Sequence, residues 1–247
     1  MTQLLELKGI DVCSGNEYRL KGINLSINID EKIALLGPSA AGKSTLLAVA
    51  NGTLRPNAGK ATWRGIEVHH MTPRQHQEIA TLWQDLRLVE ELNVAQNINA
   101  GALGRHNLLW AIRNLLGVIE INACITCLEA AGLEHKILTT PVQELSGGQR
   151  QRVAVARLLR QQAELLLADE PMSNLDPSLT NEILQLLLNK KRVHSISIPR
   201  TCLISLHRPD LIQNFTRVIG LKGGEIIFDC PVKGLMQSRI NSLYLDE

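Results

Sequence analysis

Ile23, Leu25, Ile27 and Ile29 alternate with polar residues, and Ile33-Ala34-Leu35-Leu36 then runs apolar without a break. Alternation at period two is the mark of a strand with one buried face, and a short continuous apolar run that of a strand buried on both. Residues 3–36 are therefore expected to form short strands. A helix is predicted from Lys43 to Asn51, stopped by Asn51-Gly52 and then Pro56. Between about Leu86 and Thr140 the spacing turns helical, including Leu108 to Leu116 and Ile119 to Ala131, with Gly117 and Gly132 as breaks. Strand spacing returns at Leu165–Ala168 and Thr201–Leu206, followed by a hairpin of Arg217–Leu221 and Glu225–Asp229 turned by Gly223-Gly224. Strands that alternate with helices predict an α/β fold with a mainly parallel sheet and a ligand at the strand ends. We divide the chain as a single domain, with residues 1–85 and 141–247 as the α/β core and 86–140 as a helical insert.

Composition narrows the class without identifying a partner. A chain of 247 residues that is 45% hydrophobic can bury a sizeable core. Its 26 basic and 24 acidic residues are scattered, for a net charge of +2, so neither a nucleic-acid-binding arm nor a polybasic membrane anchor is expected. No apolar run approaches the roughly 20 residues of a membrane-spanning helix. The start Met-Thr-Gln-Leu-Leu-Glu lacks a basic region followed by an apolar core, so the chain is expected to be neither exported nor membrane-spanning. Five cysteines, an odd number, fit reduced thiols better than a disulfide framework. Cys124 and Cys127 form a C-x-x-C, but on a helical pattern beside Ile121, Ile125 and Leu128 and with no second pair to complete a tetrahedral site, so they are expected to face the core.

The chemistry lies in three separated segments. Gly37-Pro38-Ser39-Ala40-Ala41-Gly42-Lys43-Ser44-Thr45 fits G-x-x-x-x-G-K-[ST], a loop whose backbone N–H groups wrap phosphates, whose lysine neutralises them and whose hydroxyl reaches magnesium. Strand, glycine loop and helix are the context this motif requires. Leu145-Ser146-Gly147-Gly148-Gln149 comes later, and Leu165-Leu166-Leu167-Ala168-Asp169-Glu170-Pro171 places an acid pair at the end of an apolar strand. These three, in this order, resemble the ATPase of ABC transporters, and the resemblance runs from about Leu4 to about Pro231. It implies a P-loop NTPase (RecA-like) core with an N-terminal antiparallel β part and a helical subdomain. Within the family, Leu86-Arg87-Leu88-Val89-Glu90-Glu91-Leu92-Asn93-Val94, Gly101-Ala102-Leu103-Gly104-Arg105 and the Ser205–Leu211 segment look like the ATPase of phosphonate importers.

The resemblance assigns roles. Residues 37–45 bind ATP, with Lys43 on the outer phosphates and Ser44 on Mg²⁺. Asp169 holds the Mg²⁺ through water, and Glu170 orients or deprotonates the attacking water. Gln84, in Leu82-Trp83-Gln84-Asp85, joins the magnesium site to the helical insert. His207 contacts the γ-phosphate and pairs with Glu170. Ser146, Gly147, Gly148 and Gln149 open a helix whose N–H groups and dipole favour an anion, and by resemblance they cap the γ-phosphate of a second copy. Ser173, Asn174, Leu175 and Asp176 form the loop that crosses between two such sites. ATP would then hold a head-to-tail dimer that hydrolysis releases.

Two positions depart from the family pattern. Ala40 stands where glycine is usual, so a backbone angle easy for glycine is expected to be strained there by about 1 kcal/mol. Cys13 stands where an aromatic ring usually stacks on adenine. Either Tyr18 substitutes for it or adenine is held by apolar contact alone. The partners implied are a second copy, separate permease subunits and a solute-binding protein, with the chain peripheral on the cytoplasmic face of the membrane. From the short stretch after Asp229, the added regulatory domain that some members carry is not expected. A soluble ABC ATPase of cofactor or cluster assembly stays open as the alternative. A phosphate-loop kinase would leave residues 146–149 unexplained.

Overall fold

The computed structural model describes residues 2–117, 119–173, 175–188, 196 and 198–244. In chain order, strands β1 (Gln3–Ser14), β2 (Glu17–Asn28) and β3 (Lys32–Leu36) lead to helix α1 (Lys43–Ala50). Then come β4 (Ala58–Trp63), β5 (Ile66–Glu67), the short helix α2 (Pro73–His76) and β6 (Ile79–Leu82). Helices α3 (Val94–Ala100), α4 (Leu108–Leu116), α5 (Ile121–Ala130) and α6 (Gly147–Gln161) follow. The chain continues through β7 (Leu165–Ala168), α7 (Pro177–Leu187), β8 (Thr201–Ser205), β9 (Arg217–Lys222), β10 (Glu225–Pro231) and α8 (Gln237–Tyr244). It packs as two compact units, residues 1–71 with 167–171 and 200–247, and residues 72–166 with 172–199.

The first unit holds an antiparallel sheet, ordered β2-β1-β4-β5, and a sheet whose strands in this unit run β10-β9-β3-β8-β7. In the second sheet β3 is parallel to both β8 and β9, while β10 returns antiparallel to β9. Ile33, Leu35, Leu203, Ile204 and Ile219 are fully buried, as expected of strands covered on both faces. This is a P-loop α/β fold with an antiparallel N-terminal sheet. Residues 3–28 form two twelve-residue strands rather than several short ones. Register shifts along the β1–β2 pair absorb the irregular spacing of apolar residues that suggested breaks. Ile29 falls past the end of β2 and is exposed, whereas Ile23, Leu25 and Ile27 are buried as the alternation requires.

In the second unit β6 lies beside the start of β7, where the Glu164 and Leu165 N–H groups both donate to the Glu78 carbonyl. Helix α6 packs against α3 and α5. Its buried Arg160 pairs with Glu120 and donates to Asn99 Oδ1. Asn99, itself buried, donates to the Ile119 carbonyl and to Asn114 Oδ1. Every member of this network is bonded, which is the condition for a polar core to be tolerated. Helix α4 presents Leu108, Leu109, Ile112, Leu115 and Leu116 to solvent. No single helix among the described residues is long and apolar enough to cross a membrane.

Cys124 and Cys127 point into this core, as their helical spacing predicts. Burial pushes the Cys124 thiol up to about 12 and the Cys127 thiol up to about 11, and fully buried Cys202 likewise rises to about 12. Cys13 and Cys230 are half-buried. The thiolate is the reactive form. A disulfide-exchange reagent at pH 8 is therefore expected to titrate two thiols in the native protein and the other three only after unfolding. Fast native reaction of Cys124 or Cys127 would contradict this. Because these folded values lie above the ordinary 9.0, the stability they contribute is complete below pH 9 and drains away as pH rises toward 12.

Candidate functional site

Strand β3 runs directly into the glycine loop. Gly37 is buried, and a Cβ there would sit 2.2 Å from the Leu221 carbonyl oxygen. Gly42 caps α1 at φ 104°, where a Cβ would meet the Arg19 carbonyl oxygen at 2.6 Å. Both positions need glycine, for space and for backbone angle. Ala40 adopts φ 64°, the left-handed angle foreseen for it, at a cost of about 1–2 kcal/mol for a residue with a Cβ. Between them, the Ala41 N–H turns back to the Pro38 carbonyl at 3.2 Å, and Ser39 is exposed.

Lys43 opens α1 and is buried, yet its ammonium is fully engaged. Nζ donates to the Gly37 carbonyl at 2.8 Å and the Pro38 carbonyl at 3.0 Å, and lies 3.5 Å from Glu170 Oε1. Ser44 is exposed at the same helix start, with Thr45 half-buried behind it. At the end of β7, Asp169 is buried and Glu170 turns at φ 48°. His207, two residues beyond β8, brings Nε2 to 2.6 Å from Glu170 Oε2. The first unit thus gathers Lys43, Asp169, Glu170 and His207 from three strand ends.

A further member of this cluster is Ser205, whose hydroxyl no motif singles out. It lies on β8 with no solvent exposure, accepts the Glu170 N–H at 2.8 Å and donates to Asp169 Oδ1 at 2.8 Å. The available signal was a lone hydroxyl ending the apolar run Cys202-Leu203-Ile204.

The remaining expected residues lie in the second unit. Ser146 caps α6 with a reciprocal box, its Oγ accepting from the Gln149 N–H while Gln149 Oε1 accepts from the Ser146 N–H. Gly147 and Gly148 fill the first turn, so the segment opens a helix as expected. Asp176 caps α7 by accepting from the Leu179 N–H, and Ser173 and Leu175 precede it. Asn174 lies outside the described residues. Gln84 is exposed in the turn after β6. That turn continues through Leu86 and Arg87, both at positive φ, and their carbonyls accept from the Arg157 guanidinium of α6. Burial lowers the Arg157 pKa, although the nearby Asp85 opposes this. Arg157 was not anticipated either.

Tyr18 stands directly across the β1–β2 pair from Cys13 and is half exposed, while the Cys13 N–H donates to Asn57 Oδ1. The aromatic ring of this hairpin is therefore present, on the neighbouring strand.

So dense a set of charged groups, gathered where a glycine loop opens a helix at the strand ends of a parallel sheet, is that of the phosphate-loop proteins that bind and hydrolyse nucleotides. Residues 20–173 match the family described as ABC transporter. The chain is 36% identical over 233 residues to the phosphonates import ATP-binding protein PhnC of Pseudomonas fluorescens, covering 92% of this chain and 86% of that one. It is 33% identical to the PhnC of Wolinella succinogenes, covering 94% and 85%. Among solved structures it is similar to the dimeric post-hydrolysis state of the ATP-binding cassette MJ0796 bound to ADP and Pi, with a TM-score of 0.78, 27% identity and coverage of 94% and 100%. It is also similar to cbiO1 of Clostridium perfringens, part of the transporter complex cbiONQ, with a TM-score of 0.75, 27% identity and coverage of 98% and 93%. The chain belongs to the ABC transporter family, as the nucleotide-binding, ATP-hydrolysing subunit.

Proposed function

We propose that this chain powers a membrane importer of the phosphonate type, as a pair of identical ATPase subunits on the cytoplasmic face beneath separate permease subunits, with a solute-binding protein delivering cargo. The observation that carries the hydrolytic part is the contact of Glu170 with both Lys43 and His207, which joins an acid, a phosphate-neutralising cation and an imidazole. The import reading draws on the phosphonate-import relatives, similar over more than nine-tenths of the chain.

In this reading the N–H groups of residues 37–45 and the Lys43 ammonium hold the β- and γ-phosphates, exchanging the carbonyl contacts of Lys43 for phosphate oxygens. Ser44, Gln84 and Asp169 are the residues that would hold magnesium. The donor set fits, being oxygen throughout, and Asp169 is buried with one oxygen accepting from Ser205. When bound, the ion neutralises charge on the transferring phosphoryl group. Glu170 takes the proton of the attacking water and orients it. His207 holds Glu170 from one side and reaches the γ-phosphate from the other. Ser146, Gly147, Gly148 and Gln149 cap the partner subunit's nucleotide, and residues 173–176 cross between the two sites. Tyr18 stacks on adenine in place of the ring absent at position 13.

Residues 1–247 act as one ATPase domain in which the insert 86–140 meets the permease. The apolar side chains that α4 exposes suit burial against such a partner. The test is a tagged pull-down from detergent-solubilised membranes of the native host. A multi-span protein recovered in stoichiometric amount is expected, together with stimulation of ATP turnover by that partner. Recovery of soluble partners alone would overturn the transport reading in favour of an assembly ATPase and leave the hydrolytic site intact.

A further inference from the structure

We infer that Ser205 is a positioning residue for hydrolysis, a buried hydroxyl that sets the two acidic residues of the site in one stroke. The inference rests on the roles given above to Asp169 and Glu170. A hydroxyl with no solvent exposure must find its hydrogen-bond partners inside the protein, because leaving it unpaired forfeits its hydration without replacement. Ser205 finds both partners at the carboxylate-bearing end of β7. Its proton goes to Asp169 Oδ1, which obliges its lone pairs to face the Glu170 N–H. A hydrogen bond to a carboxylate polarises the hydroxyl oxygen, and so strengthens the bond that oxygen accepts.

The bond to Glu170 falls on a strained residue. Glu170 sits at φ 48°, an angle unfavourable for a non-glycine residue that persists where the surroundings over-determine it. The N–H bond to Ser205 supplies that constraint at the strained residue itself. Without it, residue 170 can relax toward ordinary backbone angles, and its carboxylate swings away from Lys43 and His207. At the other end, the donated bond engages one oxygen of Asp169 and fixes the direction of the second. The same strand delivers His207 two residues later, so β8 carries both the hydroxyl that sets the acid pair and the histidine that meets Glu170. The hydroxyl touches no reacting atom and works through Asp169 and Glu170.

The experiment is a double-mutant cycle on the full chain. A misplacement of about 1 Å can cost about 10²-fold in rate, so Ser205→Ala is expected to lower kcat by about 10- to 100-fold. The KM for MgATP and the affinity for a fluorescent ATP analogue in EDTA should stay within about threefold, because the glycine loop and Lys43 are untouched. In a Glu170→Gln background, Ser205→Ala should produce little further loss, since residues acting as a unit are non-additive. Ser205→Thr, which keeps donor and acceptor, should recover most of the turnover. Wild-type turnover in Ser205→Ala would overturn the inference. So would a loss of turnover matched by equal losses of nucleotide affinity and thermal stability, which is a folding role alone. The role of Glu170 is judged separately, because a Glu170→Gln variant that hydrolyses ATP normally would remove that reading whatever Ser205 does.

Discussion

Glu170→Gln lowers ATP turnover by about 10²- to 10⁴-fold, the range a positioned general base supplies, while MgATP still binds. The amide preserves size and can keep a contact with His207, but it cannot take a proton from water. It also removes the negative charge facing Lys43 at 3.5 Å, so the ammonium loses a competitor for phosphate and binding is not weakened. Under the sandwich reading, hydrolysis is what releases the dimer, so the variant accumulates as a nucleotide-bound pair. Light scattering after gel filtration at saturating MgATP measures the pair, and phosphate release measures the rate. A variant that stays monomeric under those conditions removes the sandwich from the mechanism, and one that turns over at the wild-type rate removes Glu170 as the base.

Ser146→Arg abolishes hydrolysis and leaves nucleotide binding to a single chain near normal. The substitution puts a long cation where two copies would meet around the phosphates, and it removes the Oγ that accepts the Gln149 N–H. Loss of that cap alone costs about 1 kcal/mol, so Ser146→Ala serves as the control for helix stability. If Ser146→Ala hydrolyses ATP at a substantial fraction of the wild-type rate while Ser146→Arg does not, the defect lies at the shared interface. Equal loss of hydrolysis and of single-chain binding in Ser146→Arg means misfolding instead. The two substitutions act on opposite sides of the proposed shared site, so a mixed pair should carry one intact site, on the Ser146→Arg chain, and one site with both defects, on the Glu170→Gln chain.

Much of this organisation was legible because the motifs are local. Residues 37–45 carry their strand, loop and helix in one run of sequence, and Ser146 announces its own helix through the Gln149 three residues on. The hairpin at Gly223-Gly224 and the helix Leu108–Leu116 were equally plain, for turn chemistry and helical spacing each act over a few residues. What sequence pattern did not disclose depends on distant chain segments. Strand β6 has only four residues, and β4 opens Ala58-Gly59-Lys60, which carries no alternation to read. The length of β1 and β2 was hidden by register shifts that let the pair continue through irregular spacing. Ser205 looks in sequence like an ordinary strand end, and it acquires meaning only when the fold brings it to Asp169 and Glu170, more than thirty residues earlier. Ala40 shows the reverse case, in which knowledge of the motif located a strained angle before any coordinates did.

Arg157 lies eleven residues along from Ser146, which at 1.5 Å per residue is about 16 Å down the same helix. Its guanidinium grips the carbonyls of Leu86 and Arg87, two and three residues beyond Gln84. Hydrogen bonds to a charged donor contribute about 1.5–3 kcal/mol each, and these two are directed at a pair of residues already held at unfavourable angles. The turn is thereby riveted to the helix like a handle to a shaft. The turn after β6 and the helix that opens at Ser146 are tied together by hydrogen bonds at two consecutive residues.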